Sequence, residues 1–148
     1  MLVRKIKNKE ELGTCVDLYI KYNREDLIPS DRETAIKAIR RYVTNNAFMR
    51  VLEVDGVIMA WLLAIVTQKD FVKGQVMQQV YYGSDFKGSK AFKAVVMLHD
   101  ALLEEAELRK IRYVLSTGSN QDENNTFTRI LEKAGWARVG SLAVYDLA

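Results

Sequence analysis

Residues 78–103 read QQVYYGSDFKGSKAFKAVVMLHDALL. The run holds the end of a strand, a turn and the front of a long helix. Gln75–Tyr82 is rich in Val and Tyr, as strands are. Gly83–Ser89 (GSDFKGS) is polar and contains two glycines, which marks a turn. Beyond it the period changes. Phe92, Val95, Val96, His99, Leu102, Leu103 and Ala106 recur at helical spacing, so a helix over 90–108 is predicted with that set as its buried face. Arg109 and Lys110 close it with positive charge, as the helix dipole favours. Ile111–Thr117 reads as a strand after a short connection. Strand, long helix and strand in this order predict a right-handed parallel βαβ unit.

Working back towards the N-terminus, Val57–Gln68 is almost continuously apolar and predicts a strand covered on both faces. Asp55-Gly56 before it is a two-residue hairpin signal, and residues 47–55 alternate as the partner strand. With Gln75–Tyr82 this makes three antiparallel strands in a row, Lys69–Gly74 being the second turn. Ile36, Ile39 and Val43 mark the buried side of a helix that Ser30 or Asp31 caps and Asn45-Asn46 ends. Leu12, Val16, Tyr19 and Ile20 predict a first helix over 9–23, and Leu2–Ile6 alternates as a short strand. After the βαβ unit come a polar loop (118–124), a helix over 125–134 burying Phe127, Ile130 and Leu131, and Gly135 to end it. Trp136–Val139 and Leu142–Leu147 read as closing strands.

The 148 residues suit one domain, with 49% hydrophobic and 28% charged side chains. The net charge of +3 is dispersed, whereas nucleic-acid binders cluster Lys and Arg. Cys15 is the sole cysteine, so no intrachain disulfide forms, and its place on an amphipathic segment predicts a buried small hydrophobe. No Cys/His cluster has metal-ligand spacing, so no metal site is expected. The longest apolar stretch, Val57–Val66, is short of the ~20 residues that cross a bilayer. The N-terminus lacks a signal-peptide run, and a cytoplasmic setting is the expectation.

The chemical signal lies in the turn between strand and long helix. A helix N-terminus presents unpaired N–H groups and partial positive charge, which suits a phosphate. Gly88 removes a side chain from that approach, Lys87 and Lys90 add charge, and Ser89 offers a cap or a hydroxyl. The same pattern also describes an ordinary strand-to-helix turn with solvated lysines.

The whole order of elements resembles the GNAT acyltransferase superfamily. Residues 78–103 resemble that family's fourth strand, acyl-CoA pyrophosphate loop and main helix. Residues 123–140 (ENNTFTRILEKAGWARVG) resemble its late helix, which commonly ends Glu-Lys-x-Gly-aromatic, here Glu132 to Trp136. That segment is also similar to acetyltransferase-like proteins of bacteriophages. The resemblance implies an α/β (α+β) fold over 1–148, with a mixed sheet of six to seven strands and about four helices.

It also implies a cofactor, coenzyme A or acetyl-CoA. The family loop runs Arg/Gln-x-x-Gly-x-Gly/Ala, and no frame on this chain matches it throughout: Lys87 stands for the Arg, while Lys90 and Phe92 fall on small-residue positions. Lys87, Gly88, Ser89, Lys90 and Ala91 would then face the pyrophosphate. Val80, Tyr81, Tyr82 and Gly83 would pair with the pantetheine arm as an added strand does. Asn124, or neighbouring Asn125, matches an asparagine that contacts that arm. The acceptor side matches Tyr22, Asn23, Arg24, Asp26 and Leu27.

Two family positions lack the family's chemistry. Gln78-Gln79 stands where a Glu base is common, and an amide cannot take the proton. Leu131 stands where a Tyr general acid is usual. Tyr82 is the candidate donor in its place, ahead of Tyr81, Ser116, Thr117 and Ser119. Glu53, on a neighbouring strand, is the nearest carboxylate by topology and joins the acceptor-side candidates. His99 falls on the apolar helix face and is expected to be a buried, hydrogen-bonded histidine.

These residues leave three readings. The first is an N-acyltransferase that moves an acetyl (acyl) group to a small-molecule or peptide amine, with a homodimer admitted. The second is a catalytically degenerate binding or assembly protein on the same scaffold. The third is a nucleic-acid-binding protein.

Overall fold

The structure, a computed structural model, describes residues 1–23, 31–70, 73–116 and 126–137. Its elements run β1 (Leu2–Arg4), α1 (Lys9–Asn23), α2 (Arg32–Thr44), β2 (Phe48–Val54), β3 (Val57–Gln68), β4 (Gln75–Ser84), α3 (Ser89–Leu108), β5 (Tyr113–Ser116) and α4 (Thr126–Lys133).

The strands form one sheet in the order β1-β2-β3-β4-β5. The first three junctions are antiparallel and β4 pairs with β5 in parallel, across the α3 crossover. Asp55 (φ 50°) and Gly56 (φ 81°) both take the left-handed conformation that a tight two-residue hairpin needs. β3 lies at the centre. Ala60, Leu62 and Ala64 join the core under α3 and α4, while Trp61 and Leu63 join the core under α1 and α2. All five are fully buried, which is why this strand reads as a continuous apolar run.

Asp31 caps α2 by accepting from Thr34 N–H at 2.9 Å, and Asn46 leaves the helix with φ 64°. Gly135 (φ 100°) follows α4 as expected.

The strand count, the buried stripe of α3 and the end of β4 differ from expectation. The described residues form five strands rather than six to seven. The two closing strands fall almost wholly on 138–148, outside the described residues. The buried stripe of α3 is Ala94, Val95, Leu98, His99, Leu102 and Ala106. Phe92 is 49% exposed and Leu103 37% exposed. The apolar arc of this helix is wider than its buried stripe, so Phe92 and Leu103 fall at its edges. β4 also runs on to Ser84, because Tyr82, Gly83 and Ser84 still pair with Leu62, Trp61 and Ala60. No helix among the described residues is long and apolar enough to cross a membrane.

Candidate active site at the end of β4

β4 carries an irregularity that decides its shape. Leu63 pairs with Tyr81 and Ala64 with Gln79, so Val80 is an extra residue against β3. Such a bulge bends a strand and increases its twist. Among the described residues, pairing with β5 reaches the pair Gln79 and Ser116. From Val80 to Ser84 the β5 side of β4 has no strand partner among the described residues. A free strand edge of this kind accepts an extended ligand by main-chain hydrogen bonds.

The bulge leaves Val80 and Tyr81 on one face, and ordinary alternation then sends Tyr82 to the other. Tyr81 packs under α1 and α2, with its ring 5.4 Å from Tyr19, 6.0 Å from Tyr42 and 6.2 Å from Trp61. Tyr82 packs under α3 and α4, with its ring 5.2 Å from Phe127, 5.4 Å from Tyr22 and 6.0 Å from His99. Tyr82 is 5% exposed, and its Oη is buried with no hydrogen-bond partner among the described residues. Burial pushes this phenol well above its ordinary range, with Tyr22 adding to the effect. Ser84 nearby pulls the other way, with the smaller effect.

The loop from β4 into α3 is held at its base and open at its tip. Asp85 N–H donates to Met59 O at 2.8 Å, and Phe86 N–H donates to Ser84 Oγ at 3.2 Å. The Asp85 carboxylate meets Lys21 Nζ of α1 at 2.6 Å, so the loop's one acid is neutralised locally. Gly88 is the N-cap of α3, with φ 63° and ψ −141°, and no side chain caps the helix. A Cβ added there would meet nothing within 4 Å among the described residues. Ala91 N–H turns back to Gly88 O at 3.1 Å, while the N–H groups of Ser89 and Lys90 have no acceptor within the helix. Lys87, Gly88, Ser89, Lys90 and Phe92 are all exposed, so neither Lys90 nor Phe92 is packed into the turn.

Beneath the bulge runs a buried polar chain. His99 Nδ1 lies 2.8 Å from Val95 O, His99 Nε2 lies 3.0 Å from Ser116 Oγ, and Ser116 Oγ lies 2.9 Å from Gln79 Oε1. His99 is 1% exposed and Gln79 2%. Burial lowers the imidazole pKa to about 4. The expectation of a buried, hydrogen-bonded histidine holds.

Other candidates lie elsewhere. Glu53 is engaged by Arg4, at 3.3 Å from Nε, and Arg4 also grips Glu11 at 2.7 Å. That network ties β1, β2 and α1 together on the far side of β3, so the Glu53 carboxylate is occupied and separated from β4 by a strand. Tyr22 does reach the site, through its ring contact with Tyr82. Asp26 and Asn124 lie outside the described residues. Leu131 is a core residue, 5% exposed. Burial pushes the Cys15 thiol up to about 12, which makes it inert. No group of His, Cys, Asp and Glu among the described residues is placed to hold a metal.

No family model matches the sequence, and no curated protein matches it. Solved structures do match. One is a probable acetyltransferase at 13% identity and TM-score 0.74, covering 100% of this chain and 97% of that one. A second is a predicted acetyltransferase from Clostridium acetobutylicum, solved with acetyl-CoA, at 15% identity and TM-score 0.74, covering 99% and 96%. The chain has the GNAT fold. A third GNAT-fold neighbour is an aminoglycoside N-acetyltransferase in complex with CoA, at 14% identity and TM-score 0.71, covering 98% and 93%. The likeness to bacteriophage proteins is not borne out.

Within the GNAT fold, three features of this site escaped the sequence. The Val80 bulge has no local signal beyond a strand that ends in Gly83. The Gln79–Ser116–His99 chain joins residues 37 and 17 positions apart. The contact of Gly83 with Trp61 likewise needs the sheet register.

Proposed function

We propose that this chain is an N-acyltransferase that moves an acetyl (acyl) group from coenzyme A to a primary amine of a small molecule or peptide. The observation that carries this reading is the continuity of a β4 edge, Val80–Ser84, that has no β5-side partner among the described residues, with a helix N-terminus at Gly88 that no described side chain caps or fills. The neighbours solved with acetyl-CoA and CoA support it.

The residues present fit such a cofactor. Ser89 and Lys90 N–H groups would hold the pyrophosphate, with Lys87 and Lys90 adding charge. Val80 to Gly83 would hold the pantetheine arm along the open edge. The group itself supplies an activated acyl thioester. Tyr82 is the donor this site offers the departing thiolate: a buried phenol with an unspent hydrogen bond. A group poised to donate gains most where water is excluded. Tyr22 beside it would line the acceptor approach.

A second reading has its own support. Leu131 is apolar where the resemblance places an acid, and Gln78-Gln79 is neutral where it places a base. A binding protein on the same scaffold would keep cofactor affinity and lose transfer. Titration calorimetry with acetyl-CoA, followed by thiol-release assays over an amine set, separates the two. Absence of any heat or melting shift at millimolar acetyl-CoA would remove both.

A further inference from the structure

The proton count around Ser116 admits two arrangements. Val95 O can only accept, so His99 Nδ1 must donate to it. A neutral imidazole then has no proton on Nε2, and Ser116 must donate its single hydroxyl proton there. With Ser116's proton spent, its 2.9 Å contact with Gln79 requires the amide N–H₂ to face Ser116, since amide O and N are interchangeable by rotation. In the other arrangement His99 is an imidazolium, Nε2–H donates to Ser116, and Ser116 donates to Gln79 Oε1. The two differ by one proton on His99 and the direction of one hydroxyl.

We infer that Ser116 and His99 form the proton-accepting pair of this site, Ser116 as the catalytic residue and His99 as the positioning residue behind it. The inference rests on the N-acyltransferase reading and supplies the acceptor that Gln78-Gln79 lacks. Ser116 makes the last rung between β4 and β5 among the described residues, opposite Gln79 and next to the Val80 bulge. It therefore sits at the Val80 end of the Val80–Ser84 segment, away from the Gly88 anion site by about five residues of strand, roughly 17 Å. A thioester held along that edge has its acyl end here.

The step balances within the site. The amine nitrogen bonds to the acyl carbon and the carbon–sulfur bond breaks. The amine's proton passes to Ser116 Oγ while Ser116's own proton passes to His99 Nε2. The sulfur takes a proton from Tyr82. An imidazolium and a phenolate result, with ring centroids 6.0 Å apart, so each lowers the cost of the other in a buried setting. Solvent returns the protons to their starting sites after product leaves. The groups that meet the imidazole among the described residues are Ser116, Val95 O, Tyr82, Phe127 and Trp136, and of these only Tyr82 titrates near it.

The test uses Ser116→Ala and Ser116→Thr in the full chain, with melting curves to confirm folding. Acetyl-CoA affinity is expected to stay unchanged in both. Thiol release with ethylamine, spermidine and trialanine as acceptors should fall about 100-fold in kcat for Ser116→Ala, the usual scale of general-base loss. That residual rate should climb about tenfold per pH unit, because only free amine now reacts. Ser116→Thr should recover most of the rate. The chain has one histidine, so ¹⁵N NMR reads it directly and should show Nδ1 protonated and Nε2 bare in the resting protein. Ser116→Ala with wild-type kcat and pH profile, or a resting Nε2–H tautomer, overturns the pair while cofactor binding stands. A wild-type chain that releases no thiol with any of the three amines also counts against it. Failure of the wild type to bind acetyl-CoA removes the acyltransferase reading and the pair together.

Discussion

Gly83 and Trp61 fit so closely that a Cβ on the glycine would stand 2.6 Å from the indole Nε1, and 3.0 Å from the backbone N of Tyr19. The two residues are register partners on β4 and β3. A buried indole and a helix backbone cannot both step aside. Gly83→Ala should therefore destabilise the fold by about 1–3 kcal/mol, the range for overpacking a dense core. Urea unfolding monitored by tryptophan fluorescence checks this. An unchanged midpoint would mean that α1 slides freely over the sheet.

Gly88→Glu should abolish acetyl-CoA binding by placing a carboxylate on the anion site. The backbone there has φ 63°, so any side chain costs about 1–3 kcal/mol of strain. Gly88→Ala is the control, since it carries the strain without the charge. Both variants should melt lower, and only Gly88→Ala should still be stabilised by acetyl-CoA. At a hundredfold excess over Kd that stabilisation is about 2.7 kcal/mol in the wild type. Equal stabilisation of the Glu variant would move the pyrophosphate elsewhere.

Tyr82→Phe should separate stability from activity. The hydroxyl it removes is buried without a partner, so the folded state should be unchanged or firmer by up to about 1 kcal/mol. Thiol release should fall in kcat with little change in KM, because the lost hydrogen bond forms with the departing thiolate. A variant as active as the wild type would leave the phenol as packing alone.

His99 sets an acid limb to stability. Its folded pKa of about 4 lies below the ordinary value of 6.5, so the fold prefers the neutral ring. That stability is fully present above the unfolded value. It is lost as pH falls from about 6.5 towards 4, by up to about 1.4 kcal/mol per pH unit from this group. Denaturant midpoints measured across that window, together with the histidine titration by NMR, check the slope. A ring that titrates near 6.5 in the folded chain would contradict it.

Glu53→Gln should cost stability and spare transfer. Its carboxylate lies 3.3 Å from Arg4 Nε in the network that ties β1 to β2 and α1. The loss should be about 1 kcal/mol, the upper end for ion pairs at a protein surface, since this pair is partly buried. A large drop in kcat with stability unchanged would return Glu53 to the acceptor side.

Much of the architecture was legible in the chain because its signals are local. Asp55-Gly56 demands left-handed backbone at two successive positions, and few structures other than a tight hairpin supply it. Asp31 caps a helix from three residues away, and Gly135 ends one through its own conformation. Gly88 was legible as a bare helix start for the same reason. The rotation of α3 was not, because Phe92 and Leu103 are as apolar as Leu98, and only the extent of the sheet beneath decides which edge is covered.

By itself, then, the chain's sequence determined the order of elements, the central buried strand and the glycine at the head of α3, all of which follow from backbone conformation and apolar period. Tertiary structure alone decided what surrounds them. The Val80 bulge, the pairing of Gln79 with Ser116, the Tyr82 hydroxyl without a partner among the described residues and the diversion of Glu53 to Arg4 depend on residues distant in the chain. Hydrogen bonds and desolvation act over a few ångströms of space, so no local pattern in the chain announces which partners will meet.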